Sequence, residues 1–305
     1  MKVLVTGGAG FCGSHVADRM VEAGHQVVVV DDLSAGKREH LNPKATFYEM
    51  DIRNPDLLQL LQDEKPDYVS HHAAQISVQV SLRDPLHDAS SNVLGSLNLL
   101  DASVRVGIKK LIYISTGGAV YGEPTYLPCD EEHPIQPLCP YGVSKHTVEH
   151  YLYLYAKLHG LNYTVLRYPN IYGPRQDPYG EAGVIAIFIQ RMLNGGTPVI
   201  NGTGEQERDF LYVGDAAEAN FLALEKGDGG TYNLGWCQGV SVNRLFGLLK
   251  GLTGYSGKPE FGPAVAEVYK ICLESRKARE HLGWEPRVSL EEGLRRTVEY
   301  FRGRV

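Results

Sequence analysis

Lys2–Thr6 is a short β-branched run that ends on glycines, and the segment TGGAGFCGSH leads on into apolar positions at helical spacing over residues 12–23, stopped by Gly24. This order of strand, glycine turn and helix constrains the fold more than any other stretch of the chain. Gly7, Gly10 and Gly13 permit a tight turn and let a pyrophosphate approach the backbone amides at the helix N-terminus. A continuous valine run then ends at Asp31, 18 residues beyond Gly13, where an acid at a strand end can accept both ribose hydroxyls of a dinucleotide. Asp32 adds a second carboxylate that would repel the extra phosphate of NADP, which favours NAD; Lys37 and Arg38 argue the other way. Asp51 and Ile52, after a third strand, suit the adenine edge, and Ala73 and Ala74, after a fourth, offer small side chains where the backbone can pass a cofactor closely.

The alternation continues. Residues 46–49 and Tyr68–His71 read as strands, 55–61 as a helix with proline at its start, 79–106 as a long helical segment and 111–115 as a fifth strand. A helix then runs from Pro140 to about Leu158, ended by Gly160, and a strand follows over 163–167. Parallel strands with crossover helices define an α/β fold, a doubly wound parallel sheet of the Rossmann kind. From Tyr168 the connections become rich in glycine and proline, with helices near 184–193 and 289–302, which reads as a smaller C-terminal substrate lobe. The expected division is a dinucleotide domain over 1–167, rejoined by about 210–233, and a lobe over 168–305 interleaved with it.

The 305 residues are 43% hydrophobic and 22% charged, which excludes disorder, collagen and coiled coil. A net charge of −6 speaks against nucleic acid or a polybasic membrane anchor as partner. The five cysteines form no C-x-x-C pair, so reduced thiols in the cytoplasm fit better than disulfides or a zinc site. The strongest apolar stretches, 27–30 and 184–189, fall short of a bilayer span, and glycine at position 7 comes too early for a signal peptide.

Tyr141 and Lys145, in PYGVSK, stand four apart at the start of a helix and share one face. A phenol ionises near pH ~10, too high for a base at neutrality, and a neighbouring ammonium together with a cationic nicotinamide would lower it. Ser115 and Thr116 close the fifth strand, at the carboxyl edge where open α/β sheets bind ligands.

TGGAGFCGSH, DDLSAGK, DIRN, HHAAQ, STGGAVYGEP, PYGVSK, LRYPNIYGPRQ and RDFLYVGD occur in this order over nearly the whole chain. In these motifs the chain resembles the extended short-chain dehydrogenase/reductases and, within them, the UDP-glucose 4-epimerases. The resemblance implies that Phe11, Cys12, Ser34, Gly36, Gln75 and Tyr168 join the cofactor residues, and that Tyr141 is the base while Lys145 tunes it and holds the nicotinamide ribose. It implies a hydroxyl on the sugar's 4-hydroxyl, assigned to Thr116 on its 25-residue spacing to Tyr141, with Ser115 as the alternative. Asn170 and Arg208 resemble the contacts to the nucleotide's diphosphate, and a homodimer is implied by the pairing of long helices in relatives. The family's dehydratases carry an Asp-Glu pair after the hydroxyl residue, where this chain has Gly117 and Gly118, which favours epimerisation and leaves room for a 4-ketose to turn. Relatives carry a second arginine where this chain reads Pro263-Ala264-Val265-Ala266-Glu267, which implies either weaker diphosphate binding or its supply by another residue such as Lys270 or Arg276. The rivals are epimerases of UDP-glucuronate or UDP-N-acetylhexosamines, a dehydratase or reductase of this family, and, remotely, a non-catalytic NAD-binding regulator.

His146-Thr147-Val148-Glu149-His150 matches a zinc-protease pattern. At about 100° per residue, however, Lys145 lies roughly 40° from Tyr141 while His146 and His150 lie roughly 140° and 180° away, off the catalytic face, and no metal is expected. His71 and His72 end a buried strand, and at least one of them reads as a hydrogen-bonded core or cofactor-wall residue rather than a metal ligand. Tyr151, Tyr153 and Tyr155 serve either an interface or the core, and the arginines of the last helix read as a solvated face.

Overall fold

The computed structural model describes residues 1–180, 183–265 and 268–304. Strands β1 (Lys2–Thr6), β2 (Gln26–Asp31), β3 (Thr46–Glu49), β4 (Tyr68–His71), β5 (Lys110–Thr116) and β6 (Tyr163–Tyr168) alternate with α1 (Phe11–Glu22), α2 (Leu57–Glu64), α3 (Val78–Arg83), α4 (Pro85–Ala89), α5 (Gly95–Val106), the single turn α6 (Gly117–Val120) and α7 (Pro140–His159). The second half carries β7 (Asn170–Tyr172), α8 (Val184–Leu193), β8 (Val199–Asn201), β9 (Glu207–Arg208), β10 (Phe210–Tyr212), α9 (Val213–Ala223), β11 (Gly230–Asn233), β12 (Val240–Ser241), α10 (Val242–Thr253), β13 (Glu260–Gly262), α11 (Arg276–Leu282) and α12 (Leu290–Arg302).

Seven parallel strands form one sheet in the order β11-β6-β5-β4-β1-β2-β3. The order reverses between β4 and β1, and a crevice opens at the carboxyl ends of such strands. Alternation along each strand feeds two cores. Val3, Val5, Val27 and Val29 meet Val16, Ala17 and Met20 of α1 and the alanines of α9, while Leu4, Val28 and Val30 meet Leu57, Leu61, Leu99 and Leu100. Burial of each such side chain contributes about 1.5–3 kcal/mol, so residues on both faces hold the strands in register. A third core, with Ile185, Phe188, Leu245, Leu249, Leu294 and Phe301, belongs to the second half of the chain. Val120, Tyr121, Cys129, Ile271 and Leu273 form a fourth, beside the end of β5. Among the described residues no helix is long and apolar enough to cross a membrane.

Three expectations are corrected. The helix expected over 79–106 is broken, because Pro85 cannot continue it: α3 ends at Arg83, Asp84 Oδ1 accepts the His87 N–H (2.9 Å) to cap α4, and Ser90–Leu94 widen into an i→i+5 turn before α5. Helix α2 starts at Leu57 rather than 55, since Asn54 Oδ1 accepts the Asp56 N–H (2.9 Å) in a preceding turn. The strand expected near 210 does not return to the large sheet. It is β10, paired with β7; α9 then packs on α1, and β11 takes the sheet edge beside β6.

Candidate active site

The glycine turn is closed on itself and on β4. A Cβ on Gly7, whose φ is +67°, would lie 2.7 Å from the Ala73 nitrogen, and one on Gly13 would lie 2.2 Å from the Gly7 carbonyl oxygen. Gly10 caps α1 without any side chain, so the first amides of the helix, at Phe11, Cys12 and Gly13, have no intrahelical partner and form an anion cradle. Thr6 Oγ1 accepts the Ala73 N–H (3.2 Å), which draws the start of the Ala73-Ala74 segment to the turn.

Asp31 is buried at the end of β2. Its Oδ2 accepts the Ala9 N–H (3.0 Å) and its Oδ1 the Leu33 N–H (2.8 Å); burial pushes its pKa up and these bonds oppose the rise. A Cβ on Gly36 would lie 2.7 Å from Asp31 Oδ1, so glycine there lets the loop close on the acid. Asp32 is exposed and holds the Ser34 N–H (3.0 Å) and hydroxyl (2.6 Å). Arg38, one of the two cations that could favour NADP, is ion-paired with Glu49 and lies over the Phe47 ring. Asp51 is engaged by Arg53, and Ile52 is buried with its carbonyl bonded to Asn98 Nδ2 (2.7 Å).

At the end of β5 the two hydroxyls part company. Ser115 Oγ donates to Glu149 Oε1 (2.5 Å), while Thr116 lies by the Tyr141 phenol and acts to lower its pKa. Thr116 is therefore the hydroxyl at the phenol, and Ser115 is consumed behind it. Of Tyr141 and Lys145, in the first two turns of α7, Lys145 is buried and Tyr141 half-buried. Burial pushes the Tyr141 phenol up, with Cys139, Asp88 and Cys12 adding to the rise and Thr116 opposing it. In the protein alone desolvation outweighs the opposing contribution of Thr116; the lowering expected from Lys145 together with a cationic nicotinamide concerns the loaded site. Burial pushes Lys145 down to about 7 against the fields of Glu149 and Asp88, and its Nζ lies 4.3 Å from the centre of the Tyr113 ring.

Glu149, one turn beyond Lys145, anchors a buried polar chain: Arg167 Nε and Nη2 donate to it (3.0 and 2.6 Å), Arg167 Nη1 donates to Tyr121 Oη (2.8 Å), and Tyr121 donates to Asn233 Oδ1 (2.7 Å). His146 Nδ1 lies 2.9 Å from the same carboxylate, and His150 is exposed beside it. The apparent zinc-protease pattern is therefore a hydrogen-bonded cluster, with Glu149 committed to Arg167.

The two glycines after Thr116 differ. A Cβ on Gly117 would lie 2.3 Å from Leu273 Cδ1, so this glycine is required by packing and opens no space; one on Gly118 would meet only Asn170 Oδ1 and Thr116 Oγ1, each at 3.8 Å. The expected room comes from Gly118 alone, in a space shared with Thr116 and Asn170. The Asn170 N–H donates to the Asp209 carbonyl (3.0 Å), which brings the neighbouring Arg208 alongside; Arg208 Nη1 donates to the Glu207 carbonyl (2.8 Å). Lys270 is paired with Glu207 (2.6 Å) and Arg276 lies 3.6 Å from Glu274. Ala266 and Glu267 lie outside the described residues.

Cys12 has its thiol pushed up to about 12 by burial, and its field reaches Tyr141 and Tyr168. Tyr168 Oη accepts a hydrogen bond from Asn220 Nδ2, which fixes the ring and leaves the phenol's own O–H as a donor. Gln75 lies past the end of β4, bonded to Asn92 and Asp88. His71 is buried between Thr6 (2.7 Å) and Ser96 (2.9 Å), as a wall residue should be. Tyr151 and Tyr155 pack on the core while Tyr153 is exposed, so the tyrosine series divides. The arginines of α12 form surface pairs, such as Arg295 with Glu299 (2.6 Å).

Residues 3–235 match the NAD dependent epimerase/dehydratase family. This chain belongs to that family. It is 52% identical to the UDP-glucose 4-epimerase of Thermotoga maritima, whose structure with UDP-glucose superposes with a TM-score of 0.98 over 100% of this chain and 99% of that one. The Thermus thermophilus UDP-glucose 4-epimerase, solved with NAD, is 42% identical with a TM-score of 0.95 over the full length of both chains. The UDP-glucose 4-epimerase of Mycolicibacterium smegmatis is 42% identical over 100% of this chain and 99% of its own. NAD is the cofactor of this epimerase/dehydratase family member, and the residues fit it: the turn has no room for any Cβ at Gly7 or Gly13, the α1 amides are uncapped, and Asp31 is fixed at the strand end. Sequence reasoning missed Arg167 and Asp88, and read Glu149 only as part of a metal pattern. Its four-residue step from Lys145 was the available signal.

Proposed function

We propose that this chain is an NAD-dependent 4-epimerase of UDP-hexoses, interconverting UDP-glucose and UDP-galactose through a 4-keto sugar. The observation that carries the reading is the open Gly118 position next to Thr116 and Asn170, with Thr116 by the Tyr141 phenol and glycine where an eliminating enzyme of the family needs acids. NAD, held by the α1 amides and Asp31, would supply a reversible hydride acceptor for C4. Thr116 orients the sugar's 4-hydroxyl toward Tyr141, whose phenolate oxygen takes the hydroxyl proton and later gives it back. Because burial disfavours the phenolate, Tyr141 depends on positive charge from Lys145 and from the cofactor to hold it. Lys145, pushed down to about 7, must be kept as the ammonium to do this. Asn170 and Arg208 hold the diphosphate, and the space at Gly118 lets the ketose present its other face.

The same reading carries a cytoplasmic homodimer. Helix α7 exposes Val143, Tyr153, Leu154 and Leu158 on its outer side, the apolar stripe expected of paired long helices. The test of the function is an NMR time course of the purified protein with UDP-galactose and no added NAD. UDP-glucose should appear; unchanged UDP-galactose with NAD supplied, or a steady yield of 4-keto-6-deoxy sugar, would overturn the reading.

A further inference from the structure

Helix α4 is exposed along its length except at Asp88, which turns inward and is 1% exposed. Its Oδ1 accepts from Gln75 Nε2 (2.8 Å) and Asn92 Nδ2 (3.1 Å), and its Oδ2 is buried with no hydrogen-bond partner. Asn92, in the i→i+5 turn, accepts the Gln75 N–H with Oδ1 (2.8 Å) and donates to Ser144 Oγ (3.2 Å), and Ser144 donates to the Tyr141 carbonyl (3.0 Å). Asp88 is thus bonded both to the segment leaving β4 and, through Asn92, to the turn of α7 that carries Tyr141 and Lys145.

Charge accounting gives this placement a purpose. Glu149 is neutralised by Arg167, but among the described residues neither Asp88 nor Lys145 belongs to an ion pair. A buried carboxylate and a buried ammonium are each costly alone, and the two lie in one region, Asp88 acting on Lys145 electrostatically. We infer that Asp88 is the counter-ion of Lys145, a positioning residue that acts across Asn92 and Ser144 to keep the ammonium charged in the site. The other titratable groups facing Lys145 are His71 and His72 from β4, Tyr113 from β5 and Glu149 from α7. Tyr141 is faced by Asp88, Cys139, Cys12 and Thr116. Burial holds both histidines neutral, which leaves Asp88 and Glu149 as the anions that favour the ammonium.

The inference rests on the epimerase reading for its main assay, the pH profile of kcat/KM with UDP-galactose on the NAD-loaded protein. Asp88→Asn removes the charge and keeps the shape. Loss of a negative charge lets both the ammonium and the phenol give up protons more easily, so both limbs of the profile should move toward acid by about one pH unit. Asp88→Glu, which keeps the charge, should leave the limbs in place. Asp88→Ser is read in the same way if Asp88→Asn does not fold. Limbs that stay at the wild-type pH in a neutral variant, whatever its rate, would reduce Asp88 to a packing residue and overturn the inference, as would movement toward alkali. If the wild-type protein does not act on UDP-galactose, the epimerase reading fails by itself. The pH midpoint of NAD binding then replaces the rate, with the same displacement expected and the same outcome refuting it.

Discussion

Replacing Arg167 by methionine tests the buried chain behind the site. Burial raises the Glu149 carboxyl, but hydrogen bonds from His146, Arg167 and Ser115, with the Arg167 charge, overcome that and hold it at about 2 against 4.5 for a free glutamate. At ~1.4 kcal/mol per pH unit, this displacement corresponds to about 3 kcal/mol. Because the folded value is depressed, the contribution is complete above pH 4.5 and is lost as pH falls toward 2. Arg167→Met keeps the carboxylate enclosed and removes its principal partner, so it should cost about 3–5 kcal/mol at pH 7. Below about pH 4.5 the gap to the wild type should narrow, since protonation rescues the variant while it costs the wild type its pair. The double variant Glu149→Leu with Arg167→Met removes both charges and should recover at least half of the loss, because a paired ion is worth little more than well-packed carbon. Urea unfolding of the three proteins at pH 7 and pH 4, with m-values compared, measures this. A single-variant cost below about 1 kcal/mol, or a double variant no better than the single, would refute the reasoning.

The remaining predictions concern the chemistry and its space. Tyr141→Phe should leave NAD bound and lower turnover by about 10³-fold, as loss of a general base does; retention of activity would remove Tyr141 from that role. Thr116→Val should lower kcat by at least about tenfold with NAD binding unchanged, whereas Ser115→Ala should leave kcat within about threefold and lower stability by about 1 kcal/mol, since Glu149 Oε1 loses one of its two donors and keeps Arg167 Nε; the reverse ranking would reassign the hydroxyl. Gly117→Ala should destabilise by about 1–3 kcal/mol because Leu273 must move, while Gly118→Ala should be stable but slower with sugar. Thermal melts and kcat of the two alanine variants separate the cases, and equal melts would contradict the packing argument.

What could be read from the sequence was written in short spacings. Gly7, Gly10, Gly13 and Asp31 belong to one strand-turn-helix-strand unit, and Tyr141 and Lys145 to one helix turn, so local geometry places them without knowledge of the rest. What could not be read depends on contacts between distant segments. Gly117 resembles Gly118 until Leu273 is brought against it from the far end of the chain. Ser115 and Thr116 alternate to opposite sides of β5, and only the arrival of Glu149 from α7 decides which is consumed. Phe210–Tyr212 carries as good a strand pattern as Gly230–Asn233, yet the first pairs with β7 and the second with the sheet, because pattern specifies a strand and not its neighbour.

Asp88 was hidden for a different reason. Periodicity over 79–106 assumes one continuous helix, whereas Pro85 and the widened turn after it reset the phase, so a residue that an ideal helix leaves among exposed neighbours is turned inward. The break therefore has a consequence for the site. An uninterrupted helix would present the side chains of 84–94 in a single register, but the wider turn lets Asn92 reach Gln75 and Ser144 while Asp88 reaches Asn92 and Gln75 from one turn earlier. If that phase shift is what brings the carboxylate to the Tyr141–Lys145 turn, deleting one residue from Ser90–Leu94 to restore an ordinary helix should abolish the acid displacement that Asp88→Asn otherwise produces. A full displacement in the deletion background would show that Asp88 reaches the site without the turn.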